Sequence, residues 1–127
     1  MTKQFLQTDM TQDYRSLDWK PLDAVAEVAV RELREKNQSE YTANGIVHQY
    51  KSSSVTRITF YVDQGALSNA TVTADVNAVY TSASADYLGA HNLKLDEESK
   101  LPAEISLRKI NGIWRILSAS YGIPSSK

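Results

Sequence analysis

The pair Asn111-Gly112, which stands between two apolar alternations, constrains this chain more than any other sequence feature. A two-residue Asn-Gly connection favours a type I′ turn, because both central positions of that turn require a positive φ angle. Such a turn also sets which residues of the flanking strands face each other. The sequence therefore predicts an antiparallel hairpin with three facing pairs: Leu107 with Ile116, Lys109 with Trp114, and Arg108 with Arg115.

Upstream of this hairpin the chain alternates with a period of two. Even positions from Ala70 to Tyr80 are apolar and the odd positions are mainly polar, which is typical of a strand with one buried and one wet face. Phe60 and Val72 share the buried face only if an odd number of residues connects their strands near Gly65. We predict strands at about 41–51, 55–63, 68–82, 103–110 and 113–121, the first two forming a hairpin around three serines.

The front of the chain has the 3.6-residue period of helices instead. Leu6 and Met10 begin one apolar stripe, and Asp18 with Pro21 provides an N-cap and a first turn for a second helix. The second helix has an apolar face made of Leu22, Val25, Ala26, Ala29 and Leu33. We predict helices at about 2–15 and 18–36, and a short helix capped by Ser82 or Ser84.

Length and composition exclude several classes of protein. The 127 residues correspond to a single domain over 1–127. With no cysteine, disulfide scaffolds and cysteine nucleophiles are excluded, and the net charge of −1 argues against a dedicated nucleic-acid binder. The chain has neither an apolar run of membrane-spanning length nor a signal-peptide pattern. We therefore expect a soluble domain, with any membrane anchor lying outside these residues.

Two helices followed by an antiparallel sheet form an α+β arrangement. The segment from Leu107 to Ile116 ends in a Gly-x-Trp-basic-Ile motif. This segment resembles the closing hairpin of the nuclear-transport-factor-two-like, or cystatin-like, superfamily. The helical pair and the long strand 70–82 resemble the order of elements in the same superfamily. The resemblance implies a cone in which helices pack on a curved sheet. That superfamily contains both pocket enzymes and assembly modules, so the function must be argued from the site.

Pocket enzymes of this shape need a buried acid or base. The alternation places Asp63 and Asp75 on the outward side, which leaves no carboxylate inside the sheet. A histidine there acts as a general base only when a partner fixes its tautomer, and the sequence indicates no such partner. We therefore expect no catalytic residue, and the pocket candidates on the concave side are His48, Tyr50, Tyr80 and Trp114, with Lys109 at the rim.

Metal and cofactor chemistry has equally little support. His48 and His91 are the two histidines, far apart and without a glutamate at metal-ligand spacing. The sequence contains no nucleophile-elbow, Walker or dinucleotide-binding motif. We expect neither a metal nor a cofactor.

The outward side of the last hairpin is a candidate interaction surface. Arg108 opposite Arg115 brings like charges together, which is unfavourable unless water or a partner anion separates them. Solvated arginines are the simpler interpretation. However, apolar residues beside arginine are typical of protein interfaces, and the interaction candidates on this side are Arg108, Arg115, Ile110, Ile113 and Leu117.

Within the superfamily, the chain resembles the VirB-eight-like scaffold domains of type IV secretion and related domains of Gram-positive conjugation proteins. The likeness lies in size, paired N-terminal helices, Ser/Thr-rich strands and the lack of an inner carboxylate, although the longer connections and the Asn-Pro of the Gram-negative members are absent. It implies a non-enzymatic, membrane-anchored scaffold on the extracytoplasmic face. Its partners would be itself and other secretion-channel proteins, without direct nucleic-acid binding. The alternative is a small-molecule-binding or isomerase-like pocket protein of the same fold.

Overall fold

A five-stranded antiparallel sheet, in the order β1-β2-β3-β4-β5, forms the body of the structure. The structure is a computed structural model that describes residues 2–63 and 66–123, with side chains described except at 62, 63, 66 and 67. The strands are β1 (Gln12–Asp13), β2 (Val47–Asp63), β3 (Ala66–Ser82), β4 (Glu98–Ile110) and β5 (Ile113–Tyr121). The helices are α1 (Thr2–Asp9), a 3₁₀ helix (Lys20–Ala24), α2 (Val28–Lys36), α3 (Gln38–Asn44) and α4 (Ala85–Ala90). The predicted α+β class is confirmed.

The last hairpin has the predicted register. Leu107 pairs with Ile116, Lys109 with Trp114 and Arg108 with Arg115. Asn111 and Gly112 both have positive φ angles, 52° and 79°, as a type I′ turn requires. The Asn-Gly pair is therefore sufficient to align β4 and β5 near the turn.

The predicted helix boundaries are wrong in two places. The first helix ends at Asp9 rather than near residue 15, since Gln12–Asp13 pairs with β2 as a short strand. The predicted helix 18–36 is interrupted at 25–27, where the Glu27 amide donates to the Ile116 carbonyl (2.9 Å) and the Ile116 amide donates to the Val25 carbonyl (3.0 Å). Backbone groups that would form hydrogen bonds within a continuous helix therefore pair with the edge of β5 instead.

This interruption changes which face of α2 is buried. Val30 is buried, whereas Leu33, predicted to belong to the apolar face, is 52% exposed. Arg34 lies four residues after Val30, so it projects from the inner side of the helix. A polar residue consequently enters the interior at a position that the continuous-helix prediction did not select.

The predicted hairpin around the serines is also wrong. β2 runs unbroken from Val47 to Asp63 and pairs with β3, with irregularities between Tyr50 and Ser52 and between Val55 and Arg57. The three serines pair in register with 75–77 of β3, between these two irregularities. The residues predicted as the start of a strand at 41 instead belong to α3, which is followed by Gly45 with a φ of 59°.

In the middle hairpin, Phe60 and Val72 lie on the same face as predicted, but the connection between their strands differs from the predicted one. Phe60 pairs with Ala70, so even positions face even positions as expected. Asp63 pairs with Ala66, which leaves two intervening residues, 64 and 65, outside the described ranges. An irregularity between Tyr61 and Val62 supplies the one-residue shift for which an odd connection was expected.

The core lies between the helices and the inner face of β3, β4 and β5. Phe5 and Leu6 of α1 and Leu22 of the 3₁₀ helix are buried with four even-numbered residues of β3 and with Ile105 and Ile116. Ser84 caps α4 as predicted, its hydroxyl oxygen accepting from the Tyr87 amide (3.2 Å). Within the described ranges, no helix is long and apolar enough to cross a bilayer.

The hairpin turn provides a test of the fold. We expect Gly112→Ala to lower the free energy of unfolding by about 1–2 kcal/mol, because an L side chain is strained at positive φ. Gly89→Ala is the matched control. A Cβ there meets no atom within 4 Å, and alanine favours the helix. Urea unfolding measures both, and equal stability of the two variants would contradict the turn assignment.

Candidate functional site

A cavity of about 350 Å³ lies between the helices and the sheet. Side chains from α1, α2, α3, α4 and three strands contribute to its lining. Its polar and aromatic lining includes Asp9, Arg34, Tyr41, Tyr80, Tyr87 and Tyr121. The cavity is thus the place where a small molecule would enter this fold.

Asp9 is a carboxylate inside the structure, with 3% of its surface exposed. Its two oxygens accept from Arg34 Nε (2.8 Å) and Nη2 (3.0 Å), and Oδ2 also accepts from the Tyr121 hydroxyl (2.5 Å). Burial, together with the neighbouring Asp9, raises the pKa of Tyr121 well above its ordinary value, so the phenol keeps its proton and donates it. The charge of the Asp9 carboxylate is therefore compensated by Arg34 in a bidentate ion pair.

The sequence prediction missed this group. It considered only carboxylates on the strands, and of those Asp75 is absent from the cavity lining, while the side chain of Asp63 lies outside the described set. Asp9 reaches the interior from α1, three residues after Leu6 and four after Phe5, and both of these are buried. That spacing, a carboxylate on the apolar stripe of a helix, is the signal that could have revealed it.

His48 is sealed inside the structure. It is 2% exposed, its Nδ1 lies 2.5 Å from the Met10 carbonyl, and its Nε2 lies 2.9 Å from the Tyr41 hydroxyl. Because a carbonyl only accepts, Nδ1 carries the proton and Nε2 accepts from Tyr41. Burial lowers the pKa of His48, against the opposing effect of the Met10 carbonyl, so the ring is neutral.

Tyr41 is the partner that the sequence did not indicate. It precedes His48 by seven residues and belongs to α3, in a segment that the period-two pattern assigned to a strand. The hydroxyl reaches His48 because α3 ends at Asn44 and the chain turns at Gly45 toward β2. His48 also borders an open surface depression beside β1, although its own ring is buried.

The other pocket candidates do not gather in one place. Tyr80 lines the cavity and stacks obliquely with His48, their ring centroids 5.0 Å apart. Tyr50 is half-buried and shares a hydrogen bond with Ser53 Oγ (2.8 Å). Trp114 is half-buried and meets Phe60 edge to face, with ring centroids 6.0 Å apart. The inner face therefore carries the four predicted residues, but only Tyr80 borders the cavity.

On the last hairpin, Arg115 and Arg108 have separate environments. The Arg115 guanidinium donates to the carbonyls of Asp23 (2.8 Å), Ala24 (3.0 Å) and Ala26 at the end of the 3₁₀ helix. This placement relieves the like-charge contact, because Arg115 turns toward carbonyl oxygens while Arg108 stays exposed. Ile113 is 63% and Leu117 39% exposed, and Ile110 is half-buried. Their role as an interaction surface stays a prediction.

Comparison with known proteins identifies the fold. Neither a protein-family model nor a curated protein matches the chain. An Ntf2-like protein involved in plasmid conjugation superposes with a TM-score of 0.59 at 9% identity, over 99% of this chain and 48% of that one. The intermembrane-space region of the chloroplast protein ARC6 superposes with a TM-score of 0.50 at 18% identity, over 82% of this chain and 76% of that one.

This chain is thus an α+β domain with the Ntf2-like fold, as the sequence resemblance implied. It spans about half the length of the conjugation protein that it resembles. At these identities the likeness extends to the fold, and the site must be interpreted from its own residues. The residues that the structure describes include no group of three or more potential metal ligands.

Removing Arg34 tests the buried ion pair. We expect Arg34→Met to lower the free energy of unfolding by about 3 kcal/mol, since it leaves the Asp9 carboxylate buried without its cation. The double variant Asp9→Asn/Arg34→Met should recover at least half of that loss. As a control, Arg15→Met breaks an exposed ion pair with Asp13 and should leave urea unfolding nearly unchanged. If Arg34→Met were as stable as the parent chain, Asp9 would not depend on Arg34.

The neutral state of His48 makes stability depend on pH. In the unfolded chain a histidine takes up a proton below about pH 6.5, whereas the folded chain holds His48 neutral. Burying a neutral His48 therefore costs the folded chain nothing in protonation above that pH. As the pH falls below it, the unfolded chain gains a proton that the folded chain does not, and the free energy of unfolding decreases. We expect His48→Gln to flatten the decline in unfolding free energy between about pH 6.5 and 5. His91→Gln, at the cavity wall, should retain the decline. An unchanged decline in His48→Gln would contradict this.

Proposed function

We propose that this chain is a non-enzymatic assembly domain, the extracytoplasmic part of a VirB-eight-like protein of type IV secretion and conjugative transfer. One observation carries the proposal: the acid and the histidine of the cone interior are fully engaged by the protein itself. The charge of Asp9 is compensated by Arg34 and its Oδ2 also accepts from the Tyr121 hydroxyl, while His48 bridges Tyr41 and the Met10 carbonyl. The interior polar groups therefore serve to hold elements together.

An isomerase-like role would need a base that a substrate can reach. A general base must come within hydrogen-bonding distance of the proton that it removes. His48, with 2% of its surface exposed, offers no such approach, and both of its ring nitrogens have partners. This favours assembly over catalysis.

The partner surface in this proposal is the hairpin patch, made of Arg108, Ile110 and Ile113 on the outward side of β4 and β5 and of the exposed Leu117 at an irregularity in β5. Exposed apolar side chains beside an arginine have the composition of an interface core. Arg115 is not available to a partner, because its guanidinium is bound to the 3₁₀ helix. We propose that the hairpin patch contacts another protein of the secretion channel.

Two further points support the location and the system. The structural neighbour over 99% of the chain is described as involved in plasmid conjugation, and a second neighbour is an intermembrane-space region. These descriptions belong to those proteins and are in keeping with an extracytoplasmic scaffold here. The net charge of −1 favours protein partners over direct contact with nucleic acid. The membrane would be reached through an anchor outside residues 1–127.

The hairpin patch can be tested in a donor cell that expresses the protein with single substitutions. We expect Ile113→Glu to reduce plasmid transfer by at least about tenfold at an unchanged protein level, because a charge in an apolar contact weakens binding. Leu33→Glu on α2 is the matched control, with similar exposure on another element, and should transfer normally. Normal transfer by cells that lack the protein altogether would contradict the proposal.

The cavity favours a second candidate, a small-molecule binder of the same fold. Its volume of about 350 Å³ is within the range of ligand pockets, and tyrosines and leucines line it. The same transfer experiment separates the two candidates when Ala90→Phe, which narrows the cavity, is included. Loss of transfer with Ala90→Phe but not with Ile113→Glu would favour the ligand-binding function.

A further inference from the structure

β2 is an edge strand along most of its length. β1 pairs only with Val47 and His48, so among the described residues no strand lies beside the outer edge of β2 from Lys51 to Tyr61. An edge of this kind presents unpaired backbone amide and carbonyl groups, which can pair with another strand. This edge is therefore open to addition of a strand.

The same part of β2 carries apolar side chains that the chain itself leaves half uncovered. Ile58 and Phe60 pair with Val72 and Ala70, so they project from the face that holds the core. Ile58 is 51% exposed and Phe60 53% exposed, whereas Val72 and Ala70 are both 5% exposed. The helices cover β3, β4 and β5 but leave this end of β2 open, so neighbouring apolar surface stays in water.

Irregularities limit the part of the edge that can pair smoothly. The pairing with β3 shifts between Val55 and Arg57 and again between Tyr61 and Val62, and it is regular between these points. Bulges twist an edge away from a second strand. The regular run is therefore the five-residue segment 57–61, whose middle residue is Thr59.

The order of apolar inner residues and polar outer residues in this run is the same in both directions from its centre. Ile58 and Phe60, one on each side of Thr59, project to the inner face, while Arg57 and Tyr61 project to the outer face. When two such runs pair antiparallel about Thr59, Ile58 of one copy faces Phe60 of the other. Arg57 of one copy then faces Tyr61 of the other, a cation beside an aromatic ring, and no like charges are opposed.

We propose that two copies of this chain associate through segment 57–61 of β2, antiparallel and about a two-fold axis at Thr59. The two five-stranded sheets then form one continuous sheet. This inference rests on the proposed assembly function and identifies one partner as the chain itself, at a surface separate from the hairpin patch. The self-complementary order of the run favours a second copy over an unrelated extended peptide, because every pair is matched when the strand meets itself.

The pairing involves few residues on each side, so the association is weak. An interface of this length falls in the small class typical of transient complexes. The fraction of dimer should therefore rise with protein concentration and fall on dilution. Tethering copies in one compartment or membrane would raise their effective concentration and favour the paired state.

The absence of cysteine from the chain permits a direct test by cross-linking. Thr59→Cys places two thiols opposite each other at the two-fold axis. Facing residues of an antiparallel pair have Cα atoms about 4.5–5.5 Å apart, within the range of a disulfide. Thr71→Cys is the matched control, because Thr71 faces Thr59 within the sheet, on the same face but one strand further from the edge.

The experiment oxidises each variant with glutathione disulfide and measures covalent dimer by mass. We expect Thr59→Cys to dimerise at least tenfold faster than Thr71→Cys. Dilution and the added substitution Ile58→Lys should each suppress the reaction, since a lysine at an inner edge position opposes pairing. Adding Leu33→Lys instead, on α2, should leave the reaction unchanged.

Two results would overturn the inference. Equal cross-linking of the two cysteine variants would indicate stacking of outer faces, and no dimer of Thr59→Cys would leave the edge to another partner or to solvent. The added substitution Ile113→Glu distinguishes this inference from the proposed function. It should leave Thr59→Cys cross-linking intact. Loss of transfer with normal cross-linking would then support the hairpin patch alone, and normal transfer with loss of cross-linking would show that the two surfaces are not separate.

Discussion

The ion pair between Asp9 and Arg34 joins parts of the chain that are far apart in sequence. Asp9 ends α1, Arg34 lies in the second half of α2, and Tyr121, which completes the network, ends β5. A buried carboxylate without these partners would be strongly unfavourable. The three groups therefore fix where the two helices and the last strand meet, and the cavity exists in the space that they enclose.

A second set of contacts closes the other side of the interior. His48 binds the carbonyl that follows α1 and the hydroxyl of Tyr41 on α3, so one ring connects a strand to two helical segments. Polar groups that could have served chemistry are thereby used for positioning. Apart from the cavity and the depression beside β1, the uncovered surfaces of the described residues include the hairpin patch and the edge of β2. Interior polar groups that already have partners, together with these uncovered surfaces, are what the assembly proposal explains most simply.

The sequence predicted local features better than distant ones, and particular residues show why. The Asn-Gly turn aligned β4 with β5 because its φ angles depend only on two adjacent residues. The break at 25–27 was missed because the Ile116 backbone, about ninety positions away, takes the bonds there. Once the helix was interrupted, the inward residue changed from Leu33 to Arg34, and the ion pair with Asp9 could not be foreseen.

The sequence by itself determined the α+β class, the turn and register of the last hairpin, and the buried side of β3, since all of these follow from spacing along one stretch of chain. Only the tertiary structure decided that Asp9 is internal, that His48 is sealed, and that Arg115 binds the 3₁₀ helix. The physical reason is that each of these depends on which distant group fills a hydrogen bond, and a linear pattern does not specify that partner.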